Sequence, residues 1–408
     1  MPSRHAHTVW LTALALIVAV TTPSQAQSDV DTLRSRAEQG DATAQFNLAR
    51  LYATGTGVPA HEIDPAAAAA RWYRLAADQG HAGAQHSLGL KYDTGAGVRE
   101  DDAEAVQWYR LAADQGHWAA QFRLGRMYAN GAGVSQDEAE AVRWFRLAAD
   151  QGHAEAQFNL GQMHFNARGV PQDRTEAARW VRLAAAQGNT AAQVTLASMF
   201  DTGSGVERDH ALAARWYRLA AAQGDASAQV TLGYLYDDGR GVPEDDAEAV
   251  RWMRLAADQG YAEAEFALAN MYFSGRGLPQ NLAEAIRWIR LAAEQGFVKA
   301  QFNLGLSNDT GTGVTQDSAE SARWFRRAAN QGDATAQQNL GVMYANGEGV
   351  QRDWVAAHMW LDLAAARATG AARASALQGL DMVAQQLTPN QIAEAKRRAR
   401  AWTPVAEP

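Results

Sequence analysis

"RWYRLAADQG" (residues 71–80) returns as "QWYRLAADQG" (107–116), "RWFRLAADQG" (143–152), "RWYRLAAAQG" (215–224) and "RWMRLAADQG" (251–260). A motif that recurs at a fixed interval is a building unit, so internal repetition has to be settled before anything else is read. Tryptophan sets the interval: Trp72, Trp108, Trp144, Trp180, Trp216, Trp252, Trp288, Trp324 and Trp360 are spaced by 36 residues without a slip. The glycine of "QG" keeps the same comb from Gly80 to Gly332, while Gly40 lies 40 residues before Gly80. The first repeat therefore carries four extra residues around "AHEID" (60–64), and nine copies fill about 40 to 367.

Each copy resolves into two helices. In "HWAAQFRLGRMYANG" (117–131), Ala120, Leu124, Met127 and Tyr128 recur at helical spacing and form one apolar face. In "DEAEAVRWFRLAADQG" (137–152), Ala141, Trp144, Phe145, Leu147 and Ala148 form a second. Asp137 is an expected N-cap, because its carboxylate can accept from the free N–H groups of the first turn. Gly131 and Gly133, then Gly152, stand where the chain must leave a helix with positive φ. Two helices of ~13 residues cannot cover each other's apolar faces, so the unit is stable only when stacked on its neighbours. The alanines recurring from Ala44 and Ala84 to Ala336 allow close helix approach, and the Trp is expected to fill the gap between adjacent pairs.

The first 26 residues read differently. "MPSRHAH" carries a fixed positive charge at Arg4, Val9–Val20 is an apolar run, and Ser24–Ala26 is a small-x-small cleavage signal, the pattern of a secretory leader. The run is too short for a transmembrane helix, which needs roughly 20 residues. The expected mature chain starts near Gln27, carries no membrane insertion, and resides in the periplasm or outside the cell. The absence of cysteine leaves stability to packing alone. A net charge of −8 argues against nucleic acid as a partner, since phosphate binding needs clustered Lys and Arg.

Catalytic constellations are sparse. Without cysteine there is no thiol nucleophile or thiolate metal site, and neither a His-Glu-x-x-His helix nor a phosphate-binding loop occurs. Ser204 sits between glycines, but Thr202 replaces the first Gly of G-x-S-x-G. His81, His117 and His153 share one repeat position and read as array surface. "DDGRGVPEDD" (237–246) gathers carboxylates but lacks the spacing of a calcium loop. No cofactor and no metal is expected.

The period, Ala-x-x-x-Leu-Gly, Gly-x-Gly-Val and Ala-x-x-Trp coincide in "AQFNLGQMHFNARGVPQDRTEAARWVRLAAAQG" (156–188), which closely resembles Sel1-like repeats. That family implies an all-α fold, a right-handed α/α superhelical solenoid related to tetratricopeptide repeats, over residues 27–370. Residues 371–408 resemble the end of exported bacterial members: "AARASALQGLDMVAQQ" (371–386) reads as a helix. Thr388, Pro389 and Gln391 then open a second helix with a capping box, and the two are expected to cover the last repeat. The basic run Lys396, Arg397, Arg398 and Arg400 suits the C-terminal end of that helix.

The resemblance further implies that the first helix of each pair lines the concave surface. The stripe left over by its buried set holds Asn47, Arg50, Arg123, Arg126, Asn159, Gln162, Thr195, Ser198, Thr231, Tyr234, Asn270, Asn303 and Asn339. Asn and basic side chains in this stripe suit a peptide backbone or carboxylate, and Arg50, Arg123 and Arg126 suggest an acidic segment toward the N-terminal third. The expected function is a non-catalytic, monomeric scaffold or adaptor that binds a protein or peptide. The alternatives are an envelope hydrolase of the β-lactamase-associated repeat type, whose relatives depend on cysteines this chain lacks, and a peptidoglycan or carbohydrate binder using Tyr234. Departures from the pattern are His164 and Asn308 in place of the helix-ending aromatic, Ala167 for Gly and Glu265 for Gln; Asn308 is expected to make the eighth repeat a soft point.

Overall fold

The computed structural model describes residues 23–56 and 64–405, and every regular element among them is an α-helix. The expected leader lies outside the described residues apart from Pro23–Ala26, which open the first helix, and the extra residues of the first repeat fall largely within the undescribed stretch 57–63. Two compact units meet at Ala184/Ala185. The first holds α1 (Pro23–Glu38), α2 (Ala42–Thr54), α3 (Pro65–Asp78), α4 (Ala82–Thr94), α5 (Asp102–Asp114), α6 (Trp118–Asn130), α7 (Glu138–Asp150), α8 (Ala154–Asn166) and most of α9 (Arg174–Ala186). The second holds α10 (Thr190–Thr202), α11 (His210–Ala222), α12 (Ala226–Asp237), α13 (Asp246–Ala257), α14 (Ala262–Ser274), α15 (Leu282–Glu294), α16 (Val298–Thr310), α17 (Ser318–Asn330), α18 (Ala334–Asn346), α19 (Trp354–Arg367), α20 (Gly370–Ala384) and α21 (Pro389–Ala401). No helix among the described residues is long and apolar enough to cross a membrane.

The even-numbered helices from α2 to α18 are the first of each pair, and the odd helices α3 to α7 and α11 to α19 each pack against the even helices on both sides. Asp137 caps α7 by accepting from Ala139 and Glu140 at 3.0 Å, and Asp101, Asp209, Asp245, Asp317 and Asp353 do the same for their helices. Close packing within a pair needs a small residue after the buried leucine, Ala49, Ala197 and Ala269 in three pairs and glycine in the others, where a Cβ on Gly125 would stand 2.8 Å from the Phe145 ring. The second glycine of Gly-x-Gly seats one repeat on the last. Gly133 has φ +66°, and a Cβ there would lie 2.3 Å from the Asp102 carbonyl oxygen at the start of α5. Trp144 is 4% exposed and shares a core with Val106 and Tyr109 of the preceding repeat and Leu124 of its own, so it does fill the gap between pairs.

Two polar ladders fix the register of this stacking. In most even helices a buried Gln donates to the carbonyl eight residues back, as Gln85 does to Ala77 at 3.1 Å, and accepts from the Gln that ends the next odd helix, here Gln115 at 2.7 Å. The same pair of bonds recurs at Gln45, Gln121, Gln193, Gln229 and Gln301. Both ends of a buried amide are thus satisfied only when the neighbouring repeat is in place, and leaving one unpaired would cost about 1–3 kcal/mol. The second ladder joins the second Arg of "RWYR" to the aromatic 18 residues on: Arg218 to Tyr236 at 2.6 Å, Arg254 to Tyr272 at 2.6 Å and Arg326 to Tyr344 at 2.8 Å, with Arg74–Tyr92 and Arg110–Tyr128 alike. His164 keeps this rung through Nε2, 3.1 Å from Arg146. Asn308 turns back to the Leu304 carbonyl at 2.8 Å instead.

Beyond the ninth pair, α20 and α21 pack against α19, with the Thr388–Gln391 capping box formed. Trp402 lies edge-on to Trp360 at 6.2 Å, and Val405 donates its N–H to the Asn330 carbonyl at 2.9 Å, drawing the chain end back over the last repeats. Of the basic run on α21, Arg397 and Arg398 both pair with Glu394.

Candidate functional site

The variable stripe of the even helices comprises two positions, three and six residues after the repeated alanine. Asn47, Arg123, Asn159, Thr195, Thr231, Asn303 and Asn339 stand at the first and are half-buried; Arg50, Arg126, Ser198, Tyr234 and Asn270 stand at the second and are exposed, while Gln162 is half-buried there. Several of the first set are already engaged by their own helix: Asn159 donates to the Glu155 carbonyl at 2.7 Å and Thr231 to that of Ser227 at 2.9 Å. Arg123 is 3.7 Å from Asp93, which also accepts from the Tyr109 hydroxyl at 3.0 Å, and Arg50 lies over the Phe46 ring. The basic cluster anticipated in the N-terminal third is therefore partly neutralised by the protein itself.

The structure brings together Tyr234, Asn270 and Asn303. Two neighbouring cavities, which share Asn270 and Ser274, open along α12, α14 and α16 in the second unit. One, of about 210 Å³, has Met253, Ala267 and Met271 among its apolar lining, with Tyr234, Asp237, Glu263, Arg276 and Lys299 as its polar groups. The other, of about 380 Å³, is lined by Phe273, Ile289, Asn303, Leu306 and Ser307 besides the two shared residues. Leu306 occupies the register of Asn270 one repeat later and leaves 41% of its surface exposed, an apolar group where most copies are polar. The remaining stripe residues line neither cavity.

Electrostatics distinguish the smaller cavity. Arg276 lies 2.8 Å from Asp237 and 3.0 Å from Asp246, so its charge is spent between two carboxylates. Burial pushes the Asp237 carboxyl above the usual range against the pull of Arg276, and Asp238, Asp246 and Glu244 push the same way as burial. Burial also raises the Tyr234 hydroxyl, with Glu263 and Asp237 adding to it. The guanidinium of Arg276 sits between Asp237 and Asp246 of the acidic stretch 237–246, and among the described residues no group of three or more His, Asp or Glu side chains is placed to hold a metal ion.

Among the first helices of the nine pairs, α2 to α18, the side-chain N-cap is missing only here. The N-caps of the other seven accept through Asp, His or Asn side chains; α14 and α16 begin at Tyr261 and Phe297, which make no side-chain cap bond. Phe297 instead lines the smaller cavity, with its ring 5.4 Å from Phe266. Giving up a cap costs about 1 kcal/mol, and such a concession marks a place where something other than stability is served.

The Sel1 repeat family model matches nine consecutive segments: 42–81, 82–117, 118–153, 154–189, 190–225, 226–261, 262–297, 298–333 and 334–368. The chain belongs to the Sel1 repeat family. It is similar to a Sel1 repeat protein from Oxalobacter formigenes, at 34% identity over 81% of this chain and 92% of the other, with a TM-score of 0.63. It is likewise similar to a protective antigen present in uropathogenic Escherichia coli strains that displays an SLR fold, at 32% identity over 91% and 94% of the two chains, with a TM-score of 0.52. No curated protein matches it. The Sel1 positions supply the framework of Ala, Leu, Gly, Gln and Trp; Tyr234, Glu263, Phe273, Phe297 and Leu306 stand at positions where the Sel1 copies differ from one another. Glu263, Phe273, Phe297, Lys299 and Leu306 escape a reading of the stripe alone, and the sequence signals for them are the lost caps and the apolar residue at 306.

Proposed function

We propose that this Sel1 repeat protein is a non-catalytic scaffold that binds an extended segment of another protein along its even helices, working as a monomer in the periplasm or outside the cell. The observation that carries this reading is the pair of adjoining cavities on α12, α14 and α16, with Asn270 and Asn303 offering amide groups beside an exposed Leu306. An amide side chain can both donate to and accept from a peptide backbone, and apolar cavities hold the side chains that give specificity. The Sel1 family, generally one of protein-interaction scaffolds, supports the coarse reading. The test is a photo-crosslinking residue placed at Asn270, in the producing cell, against the same probe at exposed Arg71 on α3. A discrete protein adduct from position 270 and none from 71 is expected; equal labelling from both would overturn the proposal.

A further inference from the structure

We infer that the segment bound at α12, α14 and α16 is basic and apolar: a Lys or Arg entering the smaller cavity and a Leu, Ile, Met or Phe, about three residues away, entering the larger. This rests on the reading of that face as a protein-docking surface and specifies its partner.

The charge decides the first half. Asp237 and Glu263 line the smaller cavity and Asp238, Glu244 and Asp246 stand around Asp237, whereas the cations there are Arg276 and Lys299. Arg276 is held by Asp237 and Asp246 at once, which leaves the site with an excess of negative charge and one further ammonium, the exposed Lys299. A guanidinium or ammonium entering between Asp237 and Glu263 would meet carboxylates on both sides, with the Tyr234 ring, itself partly exposed, at the cavity wall for a cation–π contact. An acidic segment would meet repulsion there. The cavity around Phe273, Ile289 and Leu306 decides the second half, because it is apolar and carries no ionisable group in its lining.

Spacing follows from the repeat. Helices in contact lie roughly 8–10 Å apart and an extended chain advances about 3.3 Å per residue, so two cavities that share Asn270 and Ser274 are bridged by about three residues. The amides of Asn270 and Asn303 then lie alongside the backbone between the two anchors, and the apolar anchor gains from burying Leu306 as well as itself.

The experiment is selection of a displayed library of random linear peptides of about ten residues on the full chain, followed by binding of the enriched peptides to Glu263→Lys and Leu306→Asp. Both substituted side chains are exposed, so the helices that carry them keep their cores. Circular dichroism and melting of each variant verify this. Enrichment of Lys or Arg three residues from a large apolar residue is expected, with at least tenfold weaker binding to each variant and a further loss at high salt. Enrichment of acidic or purely apolar peptides, no enrichment, or binding indifferent to both substitutions would overturn the inference. The crosslink from Asn270 is read separately: an adduct whose crosslinked segment lacks a basic residue would sink the specificity while leaving the docking surface standing.

Discussion

Gln295 donates its side-chain amide to Oε2 of Glu265 at 2.8 Å, inside the seventh repeat, where Glu265 is 3% exposed. Every other even helix from α2 to α18 has a glutamine here, and its amide nitrogen bonds the carbonyl eight residues earlier, as Gln229 does to Ala221 and Gln301 to Ala293. A carboxylate has no hydrogen to give to the corresponding Ala257 carbonyl; a protonated carboxyl has one. Burial, with Glu294 adding to it, pushes the Glu265 carboxyl up to about 7. A carboxyl raised in the fold is stabilising while protonated, so the second unit loses stability as pH rises from the ordinary carboxylate range through 7. Glu265→Gln should remove that slope and raise stability at pH 8 by up to about 3 kcal/mol, read from denaturant melts at pH 5 and pH 8. Equal gains at both pH values would contradict it.

The first unit should respond to pH in the opposite sense. His81, His117 and His153 cap α4, α6 and α8 through Nδ1, which accepts from the N–H three residues on at 3.1, 3.3 and 3.2 Å. A proton on Nδ1 ends that bond and sets a cation against the positive end of the helix. Burial holds His117 and His153 below the usual imidazole value and brings His86, stacked on His117, down to about 4. A depressed imidazole gives stability that is complete above about 6.5 and lost as pH falls below it. Hydrogen exchange of α6 and α8 should accelerate as pH falls from 6.5 to 4, and His117→Asn should weaken the effect. Exchange that stays flat across this window would rule out the caps as the cause.

Ala167 ends α8 with φ +57°, the one non-glycine residue with positive φ among the described residues. The other even helices ending with positive φ use glycine there, Gly131 and Gly203 among them. Ala167→Gly should therefore stabilise the first unit by about 1 kcal/mol, the strain of a left-handed alanine less the entropy of a freer unfolded chain. A thermal melt that shifts downward would show the strain to be absent.

Gly133→Ala should destabilise strongly, by about 3 kcal/mol or more, because the added methyl combines positive φ with a backbone carbonyl 2.3 Å away. Gly116, also at positive φ but with nothing within 4 Å of its virtual Cβ, is the control. Gly116→Ala should lose only about 1 kcal/mol, and comparable losses at both sites would discount the inter-repeat contact.

The eighth repeat lacks the Arg–aromatic rung, since Asn308 bonds its own helix and replaces a ring with a short amide. Its amides should exchange faster than those of the seventh and ninth repeats. Asn308→Tyr should restore the rung to Arg290 and slow exchange in α16 and α17. Protection equal to the neighbours in the unchanged protein would show that the ring is dispensable.

Much of the framework was legible because packing positions repeat. Asp137, Gly131 and Trp144 act as their spacing suggests, since caps, chain reversals and inter-helix gaps are local demands that one residue type meets. The histidines were misread as plain surface: helix starts are visible in sequence, but acceptance through Nδ1 needs the ring's orientation. His164 departs from the pattern of helix-ending aromatics, yet it keeps its rung because Nε2 reaches Arg146 as a tyrosine hydroxyl would. Of the stripe, Tyr234, Asn270 and Asn303 come together in the cavities, while Arg123 is taken up by Asp93.

By itself the sequence determined the period, the two helices per copy and the all-helical array, because helix faces and caps depend on neighbours within a few residues. Which stripe residues share a cavity, which charges are already paired and which buried carboxyl lacks a bond was decided by the tertiary structure alone. Those properties depend on groups about 30 residues apart along the chain, as Gln295 is from Glu265, that meet only when one repeat has closed over the next.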